Sequence, residues 1–308
     1  MGVFDFGESG DSLKTPFQTL ADYTVIIPTV GRPILRECFE ALINGRVLPA
    51  RVIVIDQGDN RDVAEWLRIF DGSGISASHI RSTGRSPSSA RNEGMRLVQT
   101  PFVAAIDDDC LAEAGWLEAM ALHLREDPWQ IVTGRVEAAG DGIPQTVITS
   151  TEPYLIHHLP IQNLSPLATG NMGVSLEAAK RIGEFDENLF TAEDTDWAYR
   201  GLKMGIPVHY TPDVVVYHHH WRDRSQSSGN YKEYAKGLGV FYGKHLRLGD
   251  LSMIPRVLLA LFRGVKILFQ GWRTSDNDLY QKGYARLTRL VPSLVRGLMG
   301  SPPPKRRG

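Results

Sequence analysis

The stretch Val103-Ala104-Ala105-Ile106-Asp107-Asp108-Asp109 decides the fold, because it joins an apolar run to three consecutive carboxylates. A short apolar run bounded by polar residues is typical of a buried strand in a parallel sheet. In open α/β sheets, ligands bind beyond the carboxyl ends of the strands, so we expect the three acids to face a ligand. Adjacent carboxylates repel one another by roughly a kcal/mol or more per pair, which a divalent cation would offset. The alternative is a solvated acidic turn in which Asp109 caps the following helix.

The segments before this strand alternate between strand and helix patterns. Tyr23–Thr29 and Arg51–Asp56 are apolar runs typical of buried strands, and the loop Gly84–Ser89 leads into a helix from about Ala90 to Val98. Further helices are predicted near residues 33–42, 63–70 and 116–124. The order strand, helix, strand implies right-handed crossovers and a parallel sheet. The sequence thus predicts an α/β fold with a Rossmann-like, mostly parallel central sheet.

The alternation weakens after residue 124, although polar motifs continue. Ile131–Val136 is a candidate strand, and residues 138–168, rich in Pro and His, are predicted to form a long loop region near the site. Ser175 is a plausible cap for a helix that extends through Arg181. Acidic residues 193, 194 and 196 are expected at the start of another helix, where the helix dipole favours negative charge. The last strand of this part, residues 214–217, ends in three histidines, His218, His219 and His220.

Charge divides the chain of 308 residues unevenly. Of its 34 Lys+Arg and 35 Asp+Glu residues, 17 basic and only 5 acidic ones lie from Trp221 onward, a net charge of +12. Such an asymmetric tail predicts an anionic partner. Two segments of the tail, residues 253–273 and 282–298, space basic residues on one helical face and apolar residues elsewhere, with a bend predicted at Pro292.

These two segments predict basic amphipathic helices that lie on an anionic membrane surface. The charges inside the first segment argue against a helix that crosses the bilayer. The alternative is that the helices pack on the rest of the chain or on a second subunit, as in a homodimer. Nucleic acid is a poorer partner, because the apolar faces do not suit a phosphate groove.

The cysteines and the N-terminus indicate the compartment. Cys38 and Cys110 lack metal-binding or redox spacing, which predicts two buried thiols in a reducing environment. The N-terminus is acidic and bears Gly and Ser, so no signal peptide is expected. We therefore expect a cytoplasmic protein that lies on the inner face of the cell membrane.

Six motifs in order resemble the family 2 inverting glycosyltransferases of the GT-A fold. They are residues 25–29 (VIIPT), 54–59 (VIDQGD), 89–94 (SARNEG), 106–109 (IDDD), 170–172 (GNM) and 193–194 (ED). The resemblance covers roughly residues 22–220. The resemblance implies a GT-A catalytic domain (22–222), the lack of any sustained period before it predicts a flexible arm (1–21), and the basic helical patterns after it predict a helical extension (223–308). The resemblance further implies that a sugar moves from a nucleotide-sugar donor to a lipid-linked or glycan acceptor by a single displacement that needs a metal ion.

The resemblance also implies roles for individual residues. Asp194 matches the general base, and Glu193 would support it or touch the acceptor. A Mn²⁺ or Mg²⁺ ion would be held by Asp109, Asp107 and His218, although three adjacent aspartates leave open which one is the direct ligand. Donor contacts are implied for Thr29, Arg32, Asp56, Gln57, Arg85, Arg91, Asp107, Asp108, Gly170 and Asn171.

Two departures and alternatives stay open. Gln57 stands where the family usually has a second acid that reads the base, so the identity of the base is not predicted. Simple helix capping is the alternative role for Glu193 and Asp194. A nucleotidyltransferase should show a glycine-rich, arginine-bearing loop after the first strand, and residues 28–33 match it poorly. A carbohydrate-binding scaffold on a decayed transferase fold is the non-enzyme alternative, against which intact Asp109 and Asp194 argue.

Overall fold

The computed structural model describes residues 18–140, 147–159, 167–189, 191–219 and 224–300. Within these ranges a nine-stranded sheet forms the centre of the molecule. Its strands are β1 (Gln18–Thr29), β2 (Val47–Asp56), β3 (Ser76–Arg81), β4 (Phe102–Ile106), β5 (Cys110–Ala112), β6 (Ile131–Ala139), β7 (Tyr154–Ile156), β8 (Asn171–Ser175) and β9 (Val208–His219). The helices are α1 (Leu35–Ile43), α2 (Val63–Trp66, continued by a 3₁₀ turn, Leu67–Phe70), α3 (Pro87–Leu97), α4 (Trp116–Glu126), α5 (Leu176–Ile182), α6 (Glu193–Lys203), α7 (Arg224–Arg247), α8 (Met253–Thr274) and α9 (Asn277–Met299).

The sheet is parallel on one side and mixed on the other. Its order is β3-β2-β1-β4-β8-β6-β9-β5, with β7 also paired to β9. Strands β1 to β4 are parallel, whereas β8 runs antiparallel to both β4 and β6. The carboxyl ends of β1, β2 and β4 therefore meet at one edge, which places Thr29, Asp56 and Asp107 at the same end of the sheet.

Apolar layers cover both faces of the sheet, as a buried parallel sheet requires. Successive residues of β1 alternate between the two layers, with Val25 in one and Ile26 in the other, and Ala104 and Ala105 of β4 do the same. Helices α1 and α4 cover the first face, and α5 and α6 cover the second. The predicted fold class therefore holds in its outline.

Several element boundaries differ from the predictions. β1 begins at Gln18, so residues 18–21 belong to the sheet and not to a flexible arm, while residues 1–17 lie outside the described part. The predicted loop region, residues 138–168, contains β7 and the end of β6. Its residues 141–146 and 160–166 are not among the residues that the structure describes. The predicted boundary at 222/223 falls among residues 220–223, which the structure does not describe either.

The C-terminal extension consists of three long helices that pack on the second face of the sheet. α7 was not predicted, because its glycines weaken the helix signal. Phe241, Met253 and Leu290 join the same apolar layer as Ile26 and Ala105. The alternative that these helices pack on the rest of the chain is thus the observed arrangement for their inner faces. α9 continues through Pro292, where a bend was predicted.

A buried carboxylate of α6 links the rest of the fold to α7 of the extension. Asp196 of α6 lies 2.9 Å from His245 Nε2 and 2.8 Å from Lys244 Nζ, both in α7, and 3.0 Å from Arg200 Nε. Although burial opposes it, these partners hold the pKa of Asp196 below its usual range. The first turn of α6 is therefore held by contacts within α6 and by contacts with α7.

The predicted basic stripe of α8 is divided between its two faces, because Lys266 and Arg273 are exposed whereas the first two arginines are not. Arg256 is buried and Arg263 is half-buried on the inner side, whereas Phe262 and Trp272 are 65% and 68% exposed. Among the described residues, no helix combines the length and the apolar composition that a bilayer crossing requires.

Candidate active site

The three acids after β4 occupy different environments. Asp108 and Asp109 are buried, whereas the Asp107 side chain is 36% exposed. The backbone N–H of Cys110 donates to the Asp107 carbonyl at 3.0 Å, which closes a tight turn at the strand end. Because of this turn, the Asp107 carboxylate contacts Arg91, whereas the carboxylates of Asp108 and Asp109 both contact Arg32.

Asp108 points inward and contacts Thr29, the last residue of β1, and Arg32, three residues later. It accepts hydrogen bonds from Thr29 Oγ1 at 2.7 Å and from Arg32 Nη1 at 2.5 Å. Burial raises the pKa of Asp108 to about 6, although Arg32 and Thr29 favour its ionised form. The same Arg32 nitrogen lies 3.2 Å from Asp109 Oδ2. Asp108 thus links Thr29 and Arg32 to the acidic turn, and its contact with the donor stays a prediction.

Asp109 forms a candidate cation site with a histidine. Potential ligand atoms of Asp109, Cys110 and His218 lie within 4.8 Å of one another, and Asp109 Oδ1 is 3.5 Å from His218 Nε2. The pairing of β5 with β9 places Cys110 opposite His218. Burial, followed by the charges of the three aspartates, raises the pKa of the Cys110 thiol, and a protonated thiol is a poor metal ligand.

The Asp109 and His218 donor set fits a divalent ion that accepts both oxygen and nitrogen ligands. Asp107, predicted as a further ligand, does not belong to this group. His219 lies in β9, and its backbone N–H donates to the Asp109 carbonyl at 2.8 Å, whereas His220 falls outside the described residues. Of the three predicted metal ligands, Asp109 and His218 therefore lie close together in the structure.

Arg91 connects the acidic turn with the acids of α6. It is buried in α3, where its Nη2 lies 2.7 Å from Asp107 Oδ1 and its Nη1 lies 3.4 Å from Glu193 Oε1. Its Nε is buried with no hydrogen-bond partner among the described residues. One guanidinium thus spans the two groups of carboxylates.

The start of α3 differs from the prediction. The helix begins at Pro87, where the Ser86 and Ser89 side chains form a reciprocal capping box, so Arg91 lies about one turn inside the helix. Arg85 lies in the loop before this cap and is exposed. Arg91 therefore does not lie at the N-terminus of α3, as predicted, but one turn further along the helix.

Glu193 and Asp194 open α6 next to a strained residue. Ala192 adopts a left-handed backbone conformation with φ of 65°, which costs a residue with a Cβ about 1–3 kcal/mol. Burial, and then the Asp194 charge, raises the pKa of Glu193 to about 7, and burial also raises the pKa of Asp194. Asp194 Oδ1 accepts from the Thr195 N–H at 2.6 Å. A buried acid with a pKa near neutrality is suited to general-base chemistry.

Asp56 and Gln57, at the end of β2, are held by partners that sequence reasoning missed. The fully buried Asp56 lies 2.9 Å from His79 Nε2 and 3.0 Å from Arg81 Nη1, both in β3. Gln57 Nε2 donates to the Ser86 carbonyl at 3.1 Å and to Ser89 Oγ at 3.0 Å. The available signal was the polar alternation of residues 76–81, which is weak for a strand at a sheet edge.

Gly170 and Asn171 are neighbours in sequence but have different surroundings. A Cβ at Gly170 would lie 2.6 Å from Asp107 Oδ2, so a side chain here would require the Asp107 carboxylate to move. The buried Asn171 side chain accepts from Trp116 Nε1 at 2.8 Å and donates to the carbonyls of Arg135 and Val214. The Asn171 side chain thus joins β8 to its neighbours, and the predicted contact of residues 170–171 with the donor stays a prediction.

Comparisons with solved structures support the fold. The chain resembles a mannosyltransferase from Pyrobaculum calidifontis solved in complex with GDP-Man and Mn²⁺, with a TM-score of 0.59, 16% identity and coverage of 94% of this chain and 92% of that one. It also resembles residues 1–349 of S. aureus TarS in complex with UDP-GlcNAc, with a TM-score of 0.58, 13% identity and coverage of 91% and 92%. These likenesses confirm the predicted GT-A fold.

Sequence comparisons point to the same family. The pre-mycofactocin glycosyltransferase of Mycobacterium tuberculosis is 26% identical over 210 residues, which span 65% of this chain but only 43% of that protein. The glycosyltransferase AglE of Haloferax volcanii is 23% identical over 207 residues, 65% of this chain and 67% of that one. A family model described as glycosyl transferase family 2 matches residues 24–178. This match covers about half of the 308 residues and includes the acidic turn and Arg91, so the chain belongs to glycosyl transferase family 2.

Proposed function

We propose that the protein is a metal-dependent, inverting glycosyltransferase that moves a sugar from a nucleotide-sugar donor to a glycan or lipid-linked acceptor. The contact of Arg91 with both Asp107 and Glu193 carries the proposal. It places the acidic turn, where a donor diphosphate would bind, one guanidinium away from the acids that would activate an acceptor. Family membership supports the same reaction class.

Asp194 is the proposed general base. As the acceptor oxygen bonds to the anomeric carbon, its proton moves to the Asp194 carboxylate, and the bond from that carbon to the donor phosphate breaks with release of the nucleoside diphosphate. Inversion follows because the oxygen attacks from the face opposite the leaving group. Glu193, beside Asp194, keeps negative charge close and raises the tendency of the pair to hold a proton.

Asp109 and His218 are the residues that would hold Mn²⁺ or Mg²⁺, with Asp107 as the remaining candidate ligand. The position of Arg32 supports a cation here, because its guanidinium already lies against both Asp108 and Asp109. A bound divalent ion would supply Lewis-acid stabilisation of the leaving diphosphate. Two structural neighbours were solved with Mn²⁺, one with UDP and one with GDP-Man.

The donor contacts are proposed in two sets. Thr29, Arg32, Asp56 and Gln57 surround the ends of β1 and β2, where the nucleoside would bind. Arg85, Arg91 and the backbone at Gly170 lie where the diphosphate and sugar would bind. Because Gln57 Nε2 is already bonded to the cap of α3, a contact with the base would use its carbonyl oxygen, which accepts hydrogen bonds.

A panel experiment tests the function. The purified protein is heated with UDP, GDP or dTDP, each with and without Mn²⁺, since a ligand that binds only the folded state raises the melting temperature. The corresponding nucleotide sugars are then assayed for hydrolysis and transfer. We expect one nucleotide to stabilise the protein in a metal-dependent way, and a protein that neither binds nor turns over any donor would contradict the proposal.

Asp194→Asn separates catalysis from binding. We expect it to lower turnover by about 10²- to 10⁴-fold, because the amide cannot accept the proton, while the nucleotide still raises the melting temperature. Asp71→Asn, at an exposed position after the 3₁₀ turn, is the matched control and should retain full activity. Equal activity of Asp194→Asn and the control would remove Asp194 from the mechanism.

We further propose that the extension places the enzyme on the inner face of the cell membrane, close to a lipid-linked acceptor. The exposed apolar face of α8, with Phe262 and Trp272, supports contact with the acyl-chain boundary. Exposed Lys266, Arg273 and Arg289 support attraction to anionic lipid.

A further inference from the structure

The short loop that follows β2, residues 57–60, is held by one side chain of the neighbouring strand. Arg81, the last residue of β3, pairs with Asp56 across the two parallel strands. Its Nη1 donates to the Gly58 carbonyl at 2.6 Å, and its Nη2 donates to the Asn60 carbonyl at 3.0 Å. The proposed transfer reaction assigns no role to Arg81, although this loop, the β2 loop, lies where the nucleoside is proposed to bind.

A buried carboxylate fixes the same guanidinium. Arg81 Nη1 lies 3.0 Å from Asp56 Oδ2, and His79 Nε2 lies 2.9 Å from the same oxygen. The other oxygen, Asp56 Oδ1, accepts from the backbone N–H of Gly58 at 2.8 Å. The Asp56 side chain is fully buried, whereas the Arg81 side chain is 46% exposed. The planar fork of an arginine can serve several acceptors at once, so one guanidinium sets the position of the carboxylate and of the β2 loop together.

The β2 loop in turn packs on the residues that follow β1. Asn60 Nδ2 donates to the Gly31 carbonyl at 2.8 Å. The backbones approach closely, because a Cβ at Gly58 would lie 2.0 Å from the Val30 carbonyl oxygen. Arg81 is therefore connected, through the β2 loop, to both strand ends that frame the proposed nucleoside site.

The apolar core does not determine the shape of the β2 loop. All four residues 57–60 are described, and none of them belongs to either apolar layer of the sheet. A loop that buries no apolar side chain depends on hydrogen bonds for its conformation, and loops held in this way on a rigid sheet commonly bind ligands. The bonds from Arg81 therefore determine the surface that this loop presents.

We propose that Arg81 is a positioning residue for the donor nucleotide, an inference that rests on the proposed function. Arg81 keeps the β2 loop in its binding conformation before the nucleotide arrives, so the loop does not have to be ordered on binding. The carboxylates that would activate the acceptor lie on α6 and do not contact this loop. Donor affinity therefore depends on Arg81, whereas the chemical step does not.

Arg81→Lys tests this role, because it keeps the positive charge but removes the fork that reaches three acceptors. Arg51→Lys is the matched control. Arg51 lies on the adjacent strand at the opposite end of the sheet, where it pairs with Ser76 and donates to Gln99 Oε1 at 3.1 Å. The probe is whichever of UDP, GDP and dTDP stabilises the wild-type protein with Mn²⁺, together with its nucleotide sugar.

We expect Arg81→Lys to raise the Kd of the nucleotide and the KM of the donor by about tenfold, because the loop must then be ordered on binding. Its kcat should stay within about twofold of the wild type, since the lost interaction does not change between ground state and transition state. Arg51→Lys should match the wild type in all three values. Circular dichroism at the assay temperature verifies that both variants are folded.

Asn60→Ala provides a second test of the same route. It removes the bond to Gly31 but keeps the Cβ, so it should also raise KM. Because both residues would act through one loop, the double variant Arg81→Lys with Asn60→Ala should raise KM by less than the product of the two single effects. A full product would overturn the inference.

The outcomes separate this inference from the proposed function. If the wild type binds a nucleotide and Arg81→Lys binds it as tightly as Arg51→Lys does, the inference is overturned and the proposed function stands. A fall in kcat as large as the rise in KM overturns it as well, because Arg81 would then affect the chemistry or the whole fold. If the wild type binds no nucleotide, the proposed function fails, and the inference fails with it.

Discussion

Two neighbouring carboxyl groups, Glu193 and Asp194, are buried at the start of α6 and within reach of a single arginine. Such a pair titrates as a unit, and the first proton is held more tightly than by an isolated acid. The cause is burial, to which the neighbouring charge adds. For a general base a raised pKa is useful, because the carboxylate then accepts a proton more readily than an ordinary carboxylate does.

Glu193→Gln should change how stability depends on pH. The pKa of Glu193 is about 7 in the folded protein against an ordinary value of 4.5, so between these pH values the folded state keeps a proton that the unfolded state releases. The contribution of Glu193 to wild-type stability therefore falls as pH rises from 5 to 8. Between pH 5 and pH 8, the free energy of unfolding of the variant should fall by less than that of the wild type, with a difference on the order of 1 kcal/mol.

Urea unfolding at pH 5 and pH 8, with EDTA present, measures this difference. Glu118→Gln, at an exposed position of α4, is the control and should follow the wild type. If the Glu193→Gln protein also loses the same stability as the wild type between the two pH values, the acid is not held protonated by its surroundings.

At the scale of single residues, the sequence predicted the site acids better than their partners. Asp107, Asp109, Arg91 and Glu193 could be placed because each lies at the end of a strand or near the start of a helix. His79 and Arg81 could not, since nothing in their own segment shows that β3 pairs with β2 and carries them to Asp56. Long-range pairing, and not local pattern, decides such contacts.

Among the elements, the apolar strands were predictable and α7 was not. β1, β2 and β4 are continuous apolar runs, which identify buried strands directly. α7 contains Gly237, Gly239 and Gly243, each of which lowers intrinsic helix propensity by about 1 kcal/mol. Their use appears only in the packed structure, where a Cβ at Gly243 would lie 2.1 Å from the Leu294 carbonyl of α9.

Gly297→Ala should therefore destabilise the protein, although alanine is the better helix former. A Cβ at this position would lie 2.4 Å from the Val240 carbonyl and 2.9 Å from the Lys244 nitrogen of α7. Forcing these backbones apart should cost about 1–3 kcal/mol, which exceeds the gain in helix propensity. Chemical denaturation measures the change, with Arg289→Ala as the exposed control on α9. A Gly297→Ala protein as stable as that control would show that the two helices do not touch closely.

For the molecule as a whole, charge counting predicted only part of the surface that α8 exposes. The stripe of basic residues in α8 begins with Arg256, which points inward to the Leu159 carbonyl. Lys266 and Arg273 of the same stripe are exposed, and so are the apolar side chains of Phe262 and Trp272. A helical period fixes which residues share a face, but it does not fix which face meets the rest of the protein.

A double variant, Phe262→Ser with Trp272→Ser, should weaken binding to vesicles that contain anionic lipid. Both side chains are largely exposed on α8, so their loss removes apolar area from the proposed contact without opening the core. We expect a drop in co-sedimentation of at least about tenfold, because each aromatic side chain contributes more than 1 kcal/mol on burial.

Leu122→Ser, at an exposed position of α4, controls for general loss of surface hydrophobicity and should bind vesicles like the wild type. Equal binding by all three proteins would refute the membrane role of α8. If the double variant instead abolishes a concentration-dependent dimer, a second copy of the chain, and not lipid, covers this face.

The glycines of α9 also fix its length. Gly283 fits against the Leu268 backbone of α8, and Gly297, 14 positions further along, fits against α7. One added residue between them would rotate everything beyond it by about 100° and advance it by about 1.5 Å. A bulky side chain would then meet the α7 backbone where Gly297 now lies. The two glycine contacts therefore fix the number of residues between Gly283 and Gly297, and the insertion or deletion of one residue would disrupt one of these contacts.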